Sequence, residues 1–184
     1  MVNRPPDYCP YCGTALDPVD PPTAYRCASC DDFVFHNPCP GGGTLVVEDG
    51  AVLLVEDFRT PGEWKPPEGR VHCGESLREG VARELAEETG LSADPGDLVY
   101  VHDEAGEPVP EQYMVEIYYA VPRSATTGTV EAGSDATDAR FWTPAAFAAS
   151  DQTLKGLHAD SFWYDEDDDL RPLLSTVREA LDGA

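Results

Sequence analysis

Lysine is nearly absent from this chain, and arginine supplies most of its positive charge. Over 184 residues the formal net charge is −23, with an isoelectric point near 4.2. Such a surface repels bare nucleic acid and anionic membranes, which argues against a general nucleic-acid binder. No apolar run approaches the length of a membrane span, and the N-terminus lacks the hydrophobic core of a signal peptide. The expectation is a cytoplasmic protein with reduced cysteines and no membrane partner. Internal repeats, a Gly-rich phosphate loop and coiled-coil heptads are missing as well, which removes solenoids, P-loop proteins and zippers from consideration. Carboxylate excess with scarce lysine fits a salt-rich cytoplasm, where a Debye length of about 3 Å at 1 M salt screens repulsion of an anionic ligand.

Of the six cysteines, four form two pairs, Cys9-Pro10-Tyr11-Cys12 and Cys27-Ala28-Ser29-Cys30. A gap of about fourteen residues lies at the short edge of the spacing for one four-Cys zinc site. Each pair can offer two thiolates to a tetrahedral ion, and Gly13 permits the tight turn behind the first. Pro5, Pro6, Pro10, Pro18, Pro21 and Pro22 leave little from which to build an apolar core. A structural zinc ion would then be the core, its binding energy serving as folding energy. A redox dithiol or an iron site uses the same residue types. Cys39 and Cys73 fall outside the pattern and read as ordinary thiols.

The richest stretch runs from Gly69 to Leu91. Ser76 followed by Glu79 reads as a capping box that opens a helix. Leu77, Val81 and Leu85 give that helix an apolar stripe, widened by Ala82 and Ala86, and Gly90 ends it. Three carboxylates share one side: Glu87 lies about 60° to one side of Glu84, and Glu88 about 40° to the other. Like charges at these spacings cost about 0.2–0.5 kcal/mol per pair in an isolated helix. Clustered oxygens are what a hard divalent cation requires, so the simplest account is a Mg2+ or Mn2+ site.

Gly69, Glu75, Arg83-Glu84-Leu85, Glu87-Glu88 and Gly90-Leu91 fill all nine specified positions of the Nudix box, and the chain resembles the Nudix hydrolase family. Two departures stand out: Glu68 where the family often has a second glycine, and His72-Cys73 where many members carry Glu-Pro. The resemblance implies an α/β fold, the Nudix α/β/α sandwich with a mixed sheet, here preceded by the small four-Cys zinc ribbon. It implies hydrolysis of a nucleoside diphosphate linked to another group, such as an ADP-ribose-like molecule, a dinucleotide or a nucleoside triphosphate. A ribbon ahead of such a domain resembles NADH pyrophosphatases, but Asp97 to Pro110 lacks that subfamily's Ser-Gln-Pro motif, so NADH specificity is not carried over.

The expected organisation is a ribbon over 1–40, a Nudix core over 41–150, and an acidic loop with a closing helix over 151–184. Thr44 to Val47 and Ala51 to Val55 read as strands joined at Glu48-Asp49-Gly50, and Tyr113 to Val121 as a further strand. Thr126 to Thr137 reads as a loop, Ala139 to Trp142 as a strand, Ala145 to Ala149 as a helix started by Pro144, and Leu170 to Leu181 as the closing helix. Expected metal ligands are Glu84, Glu87 and Glu88, with the carbonyl of Gly69 added by resemblance. Arg83 serves either as a phosphate clamp or, paired with Glu75, to orient carboxylates. Glu131 leads the candidates for general base, with Glu104, Glu107, Glu111 and Glu116 open. Trp64 and Arg59 are the candidate substrate contacts, among several aromatic residues able to stack a base. The rival reading is a non-catalytic ligand sensor whose ribbon contacts a partner. A homodimer is the default expectation for an oligomer.

Overall fold

In the computed structural model, residues 4–133, 136–156 and 161–184 are described. The backbone forms two compact units. The first gathers the chain up to Cys39 together with Ala105–Met114, and the second comprises Pro40–Glu104 and Val115–Ala184.

Three short strands build the first unit: β1 (Asp17–Asp20), β2 (Ala24–Cys27) and β3 (Asp32–Phe35). They form an antiparallel sheet in the order β1-β2-β3. The sheet buries Tyr25 and Cys27 but leaves Val19, Phe33 and Phe35 exposed, as expected of a segment with too few apolar residues for a core.

The chain continues through β4 (Cys39–Glu48), β5 (Ala51–Asp57), β6 (Glu63–Lys65), β7 (Glu68–Arg70), α1 (Leu77–Thr89), β8 (Leu91–Ala93), β9 (Val99–Val109) and β10 (Gln112–Pro122). It closes with β11 (Thr126–Gly128), β12 (Ala136–Trp142), α2 (Pro144–Ala148), β13 (Thr153–Leu154) and α3 (Leu170–Asp182). The main sheet runs β13-β6-β5-β4-β10-β9, with β12 added on β5 and β7 on β4. β13 joins β6 in parallel while β5 is antiparallel to β4, β6 and β12, so the sheet is mixed.

Alternation along the strands sorts the core into two layers, because successive side chains leave opposite faces. Leu45, Val52, Leu54, Tyr118 and Ala120 pack with Leu170, Leu173, Leu174 and Val177 of α3. Val46, Leu53, Tyr119 and Val121 pack with Val81, Ala82 and Leu85 of α1. The second unit is therefore an α/β/α sandwich. Gly42 sits where strands crowd: a Cβ there would fall 1.9 Å from the carbonyl oxygen of Ile117.

The structure differs from the sequence expectation in several places. The segment 126–137 contains β11, paired with β8, and the late strand starts at Ala136. In the second unit β6 to β9 and β13 were not anticipated, because β9 carries charged residues at Asp103, Glu104 and Glu107 and the others have two or three residues. Among the described residues no helix is long and apolar enough to cross a membrane.

Candidate active site

α1 begins as its sequence requires. The Ser76 hydroxyl accepts from the amide of Glu79, and the Glu79 carboxylate accepts from the amide of Ser76. Gly90 closes the helix at φ 70°, a left-handed conformation that glycine adopts without strain. Between these caps Arg83 organises the carboxylates. Its Nε and one terminal nitrogen donate to the two oxygens of Glu75 at 2.8 and 3.2 Å. The same terminal nitrogen reaches the carbonyl of Arg70 at 2.8 Å, and the other donates to Glu84 at 2.8 Å and Glu87 at 3.0 Å. That makes five hydrogen bonds, all that a guanidinium can donate. Arg83 holds the Glu75 carboxyl down at about 2, well below the ordinary carboxylate range.

Gly69 and Glu84 are in contact: a Cβ on Gly69 would lie 2.1 Å from the Glu84 carboxyl carbon. Glu88 is buried, and its Oε2 accepts from the amide of Glu68 at 2.9 Å. Glu87 is half exposed. Glu131 is exposed, its amide donates to the carbonyl of Thr89, and the amide of Gly133 donates to that of Glu88, so this loop is pinned to the end of α1.

A second, more deeply buried set of groups adds Lys65, Arg70 and Tyr118, which sequence reasoning left out, to Glu68, Glu88 and two of the open candidates, Glu104 and Glu116. Lys65 Nζ lies 3.5 Å from Glu68 and 3.6 Å from Glu88. The Tyr118 hydroxyl donates to Glu68 at 2.9 Å and is 3.3 Å from Glu116. Arg70 reaches Glu116 at 3.5 Å, and Glu104 accepts from the amide of Phe162 at 3.0 Å. Burial first, and then the nearby charge of Glu68, pushes the Glu116 carboxyl up to about 8. One signal was available: Glu116 occupies the inward register of β10, between Met114 and Tyr118, where an apolar residue belongs.

Trp64 corrects an expectation. It is 2 % exposed, donates its indole N–H to Gln152 at 2.7 Å, and meets Trp142 edge-on at 5.2 Å. It is a core residue with no face left for a substrate. Arg59 lies in the loop after β5, its guanidinium over the exposed ring of Phe58 at 4.5 Å.

In the first unit the ligand atoms of Cys9, Cys12, Cys27 and Cys30 all lie within 4.8 Å of one another. The amide of Gly13 donates to the carbonyl of Cys9, and that of Cys30 to the Cys27 sulfur, so each pair is closed by its own turn. Hydrogen bonding with Thr14 lowers the Cys12 thiol to about 6, and the Cys12 sulfur pushes Cys30 up to about 12. Four sulfurs at this spacing suit a tetrahedral, thiophilic metal. Among the described residues no other group of three or more His, Cys, Asp or Glu is drawn so close. The box glutamates are instead each engaged by Arg83 or Lys65. Their donor type, several carboxylates and a backbone carbonyl, still fits a hard divalent ion. Cys39 and Cys73 are free thiols outside the cluster.

A family model described as the NUDIX domain matches residues 41–161, and the chain belongs to the Nudix family. Its relatives include the ADP-ribose pyrophosphatase of Methanocaldococcus jannaschii, 29% identical over 111 residues that cover 59% of this chain and 64% of that one. They also include the NAD-capped RNA hydrolase NudC of Escherichia coli, 31% identical over 108 residues, covering 58% of this chain and 41% of NudC. The chain spans less than two thirds of the length of either. Among solved structures, a NUDIX hydrolase from Nitrosomonas europaea superposes with a TM-score of 0.58 at 20% identity, covering 96% of this chain and 93% of that one. A UDP-X diphosphatase gives 0.57 at 16% identity, over 82% and 66% of the two chains. These likenesses establish the fold.

Proposed function

We propose that this protein is a metal-dependent pyrophosphohydrolase. It cleaves the phosphoanhydride of a nucleoside diphosphate linked to another moiety and releases a nucleoside monophosphate. The observation that carries this reading is the Arg83 network, which holds Glu75, Glu84 and Glu87 on one side of α1 while Gly69 packs against Glu84. Glu84, Glu87 and Glu88 with the Gly69 carbonyl would hold Mg2+ or Mn2+, which neutralises phosphate charge and activates water when bound. Arg83, with its donors committed to protein oxygens, orients carboxylates and does not clamp phosphate; Glu75 is its anchor. Glu131 is the first candidate for general base, because its loop is bonded to the helix that carries the ligands. Arg59 remains the candidate substrate contact. Zinc in the four-Cys cluster would be structural.

The names of the relatives, an ADP-ribose pyrophosphatase and an NAD-capped RNA hydrolase, favour an adenosine diphosphate derivative. The decisive experiment is a panel of ADP-ribose, dinucleotides and nucleoside triphosphates with Mg2+ or Mn2+, reading nucleoside monophosphate release. Glu88→Gln should lose at least a hundredfold in turnover while its melting temperature shows an intact fold. Near-normal turnover in that variant removes the ligand assignment, and no turnover on any substrate leaves a ligand sensor. The charge of −23 further suggests a salt-rich cytoplasm. Activity should then rise from low to molar KCl as screening admits the anionic substrate, and a steady fall would refute the halophilic reading.

A further inference from the structure

Lys65 and Lys155 are the only lysines of the chain, and each lies against buried carboxylates. Lys155 pairs with Asp57 at 2.9 Å and donates to Thr60, an arrangement that ties the segment after β13 to the β5 loop. Lys65 is different, because one ammonium serves two carboxylates. Its side chain is 12% exposed, against 7% for Glu68 and 5% for Glu88, so all three sit in a poorly hydrated place. A buried carboxylate without a compensating charge is expensive, and one cation near two carboxylates leaves the trio net negative. Glu68 is wired to both neighbours. Its amide donates to Glu88 Oε2, its Oε1 faces Lys65, and its Oε2 is held by the Tyr118 hydroxyl. It also occupies a position where the family often has glycine, so both its backbone and its extra carboxylate bear on Glu88.

We propose that Lys65 is an internal counter-cation that competes with divalent ions for Glu88, and that Glu68 is the carboxylate that retains Lys65 when Glu88 turns to the ion. Lys65 and Glu68 are thus positioning residues that set the affinity of the site for metal. The inference rests on the reading that Glu88 helps hold a divalent cation. The flexible lysine arm reaches either carboxylate, and a positive charge this near weakens binding of a second cation at the same oxygens.

The test is Mn2+ binding to the whole 184-residue chain, zinc-loaded and without nucleotide, measured from the electron paramagnetic resonance of free Mn2+. Lys65→Met should bind Mn2+ roughly tenfold tighter, since a competing unit charge is gone. Glu68→Gln should bind it several-fold more weakly, and the double variant should stay close to Lys65→Met, since with the lysine gone Glu68 has nothing to retain. A purely structural role would weaken binding in both single variants. Should Lys65→Met fail to fold, Lys65→Gln carries the same expectation with its hydrogen-bonding capacity kept. Binding by Lys65 variants that is unchanged or weaker, or tighter binding by Glu68→Gln, overturns the proposal. A wild-type protein that binds no Mn2+ overturns it together with the carboxylate-site reading, whereas normal wild-type binding with an indifferent Lys65 overturns this inference alone.

Discussion

Replacing Gly69 by alanine adds one methyl group at the point where β7 touches α1. That methyl would stand 2.1 Å from the carboxyl carbon of Glu84 and 2.4 Å from each of its oxygens, where ordinary contact begins at 3.4 Å. The carboxylate must therefore retreat by 1 Å or slightly more. Gly69 lies outside the left-handed region, so alanine meets no backbone strain. The obstacle is the far end of a flexible side chain, which can swing away from Arg83 without moving the helix. Stability should change by less than about 1 kcal/mol, because the lost ion pair is offset by the smaller unfolded-state entropy of alanine. Turnover should fall about a hundredfold, the usual consequence of displacing a catalytic group by this distance. The assay is Mg2+-dependent release of nucleoside monophosphate, run beside a thermal melt of the same preparation. Turnover within threefold of wild type, with an unchanged melt, would show that Glu84 need not stand where the structure puts it. A collapse of the melt instead would show that Gly69 matters for folding.

Two further outcomes are expected. Glu116 has its folded value raised from 4.5 to about 8, so its stabilising contribution is complete below about pH 4.5 and is lost as pH rises towards 8. Glu116→Gln should therefore match wild type near pH 4 and exceed it by about 1–3 kcal/mol at pH 9 in urea denaturation without divalent ions, and equal stability at pH 9 would refute the assignment. In the cysteine cluster, purified protein should carry one zinc per chain by elemental analysis. Cys27→Ser, which removes the fully buried ligand, should lose most of that metal and make the first 39 residues protease-sensitive; full zinc content would count against a single four-Cys site.

The helix from Leu77 to Thr89 was legible because its determinants are local. A capping box, an apolar repeat at i and i+4, and a glycine stop act within one segment whatever surrounds it. The same holds for the cysteine pairs, where two residues and a turn fix the geometry of each half-site. β9 was missed because its residues alternate between partly buried and exposed with charges on both sides, leaving no apolar period to detect. Trp64 was misplaced for a related reason: an indole suits a core as well as a ligand surface, and Trp142 and Gln152 decided between them.

The sequence alone determined the family, the carboxylate helix and the four-sulfur cluster, since each rests on spacing within a short run of residues. Tertiary structure decided which carboxylates are buried, and with what. Glu68, Glu88 and Glu116 come from a short strand, a helix and a long strand, and they meet Lys65 and Tyr118 only once the sheet is assembled. Burial and proximity across some fifty residues, such as Tyr118 to Glu68, depend on strand order and register, which no local pattern encodes.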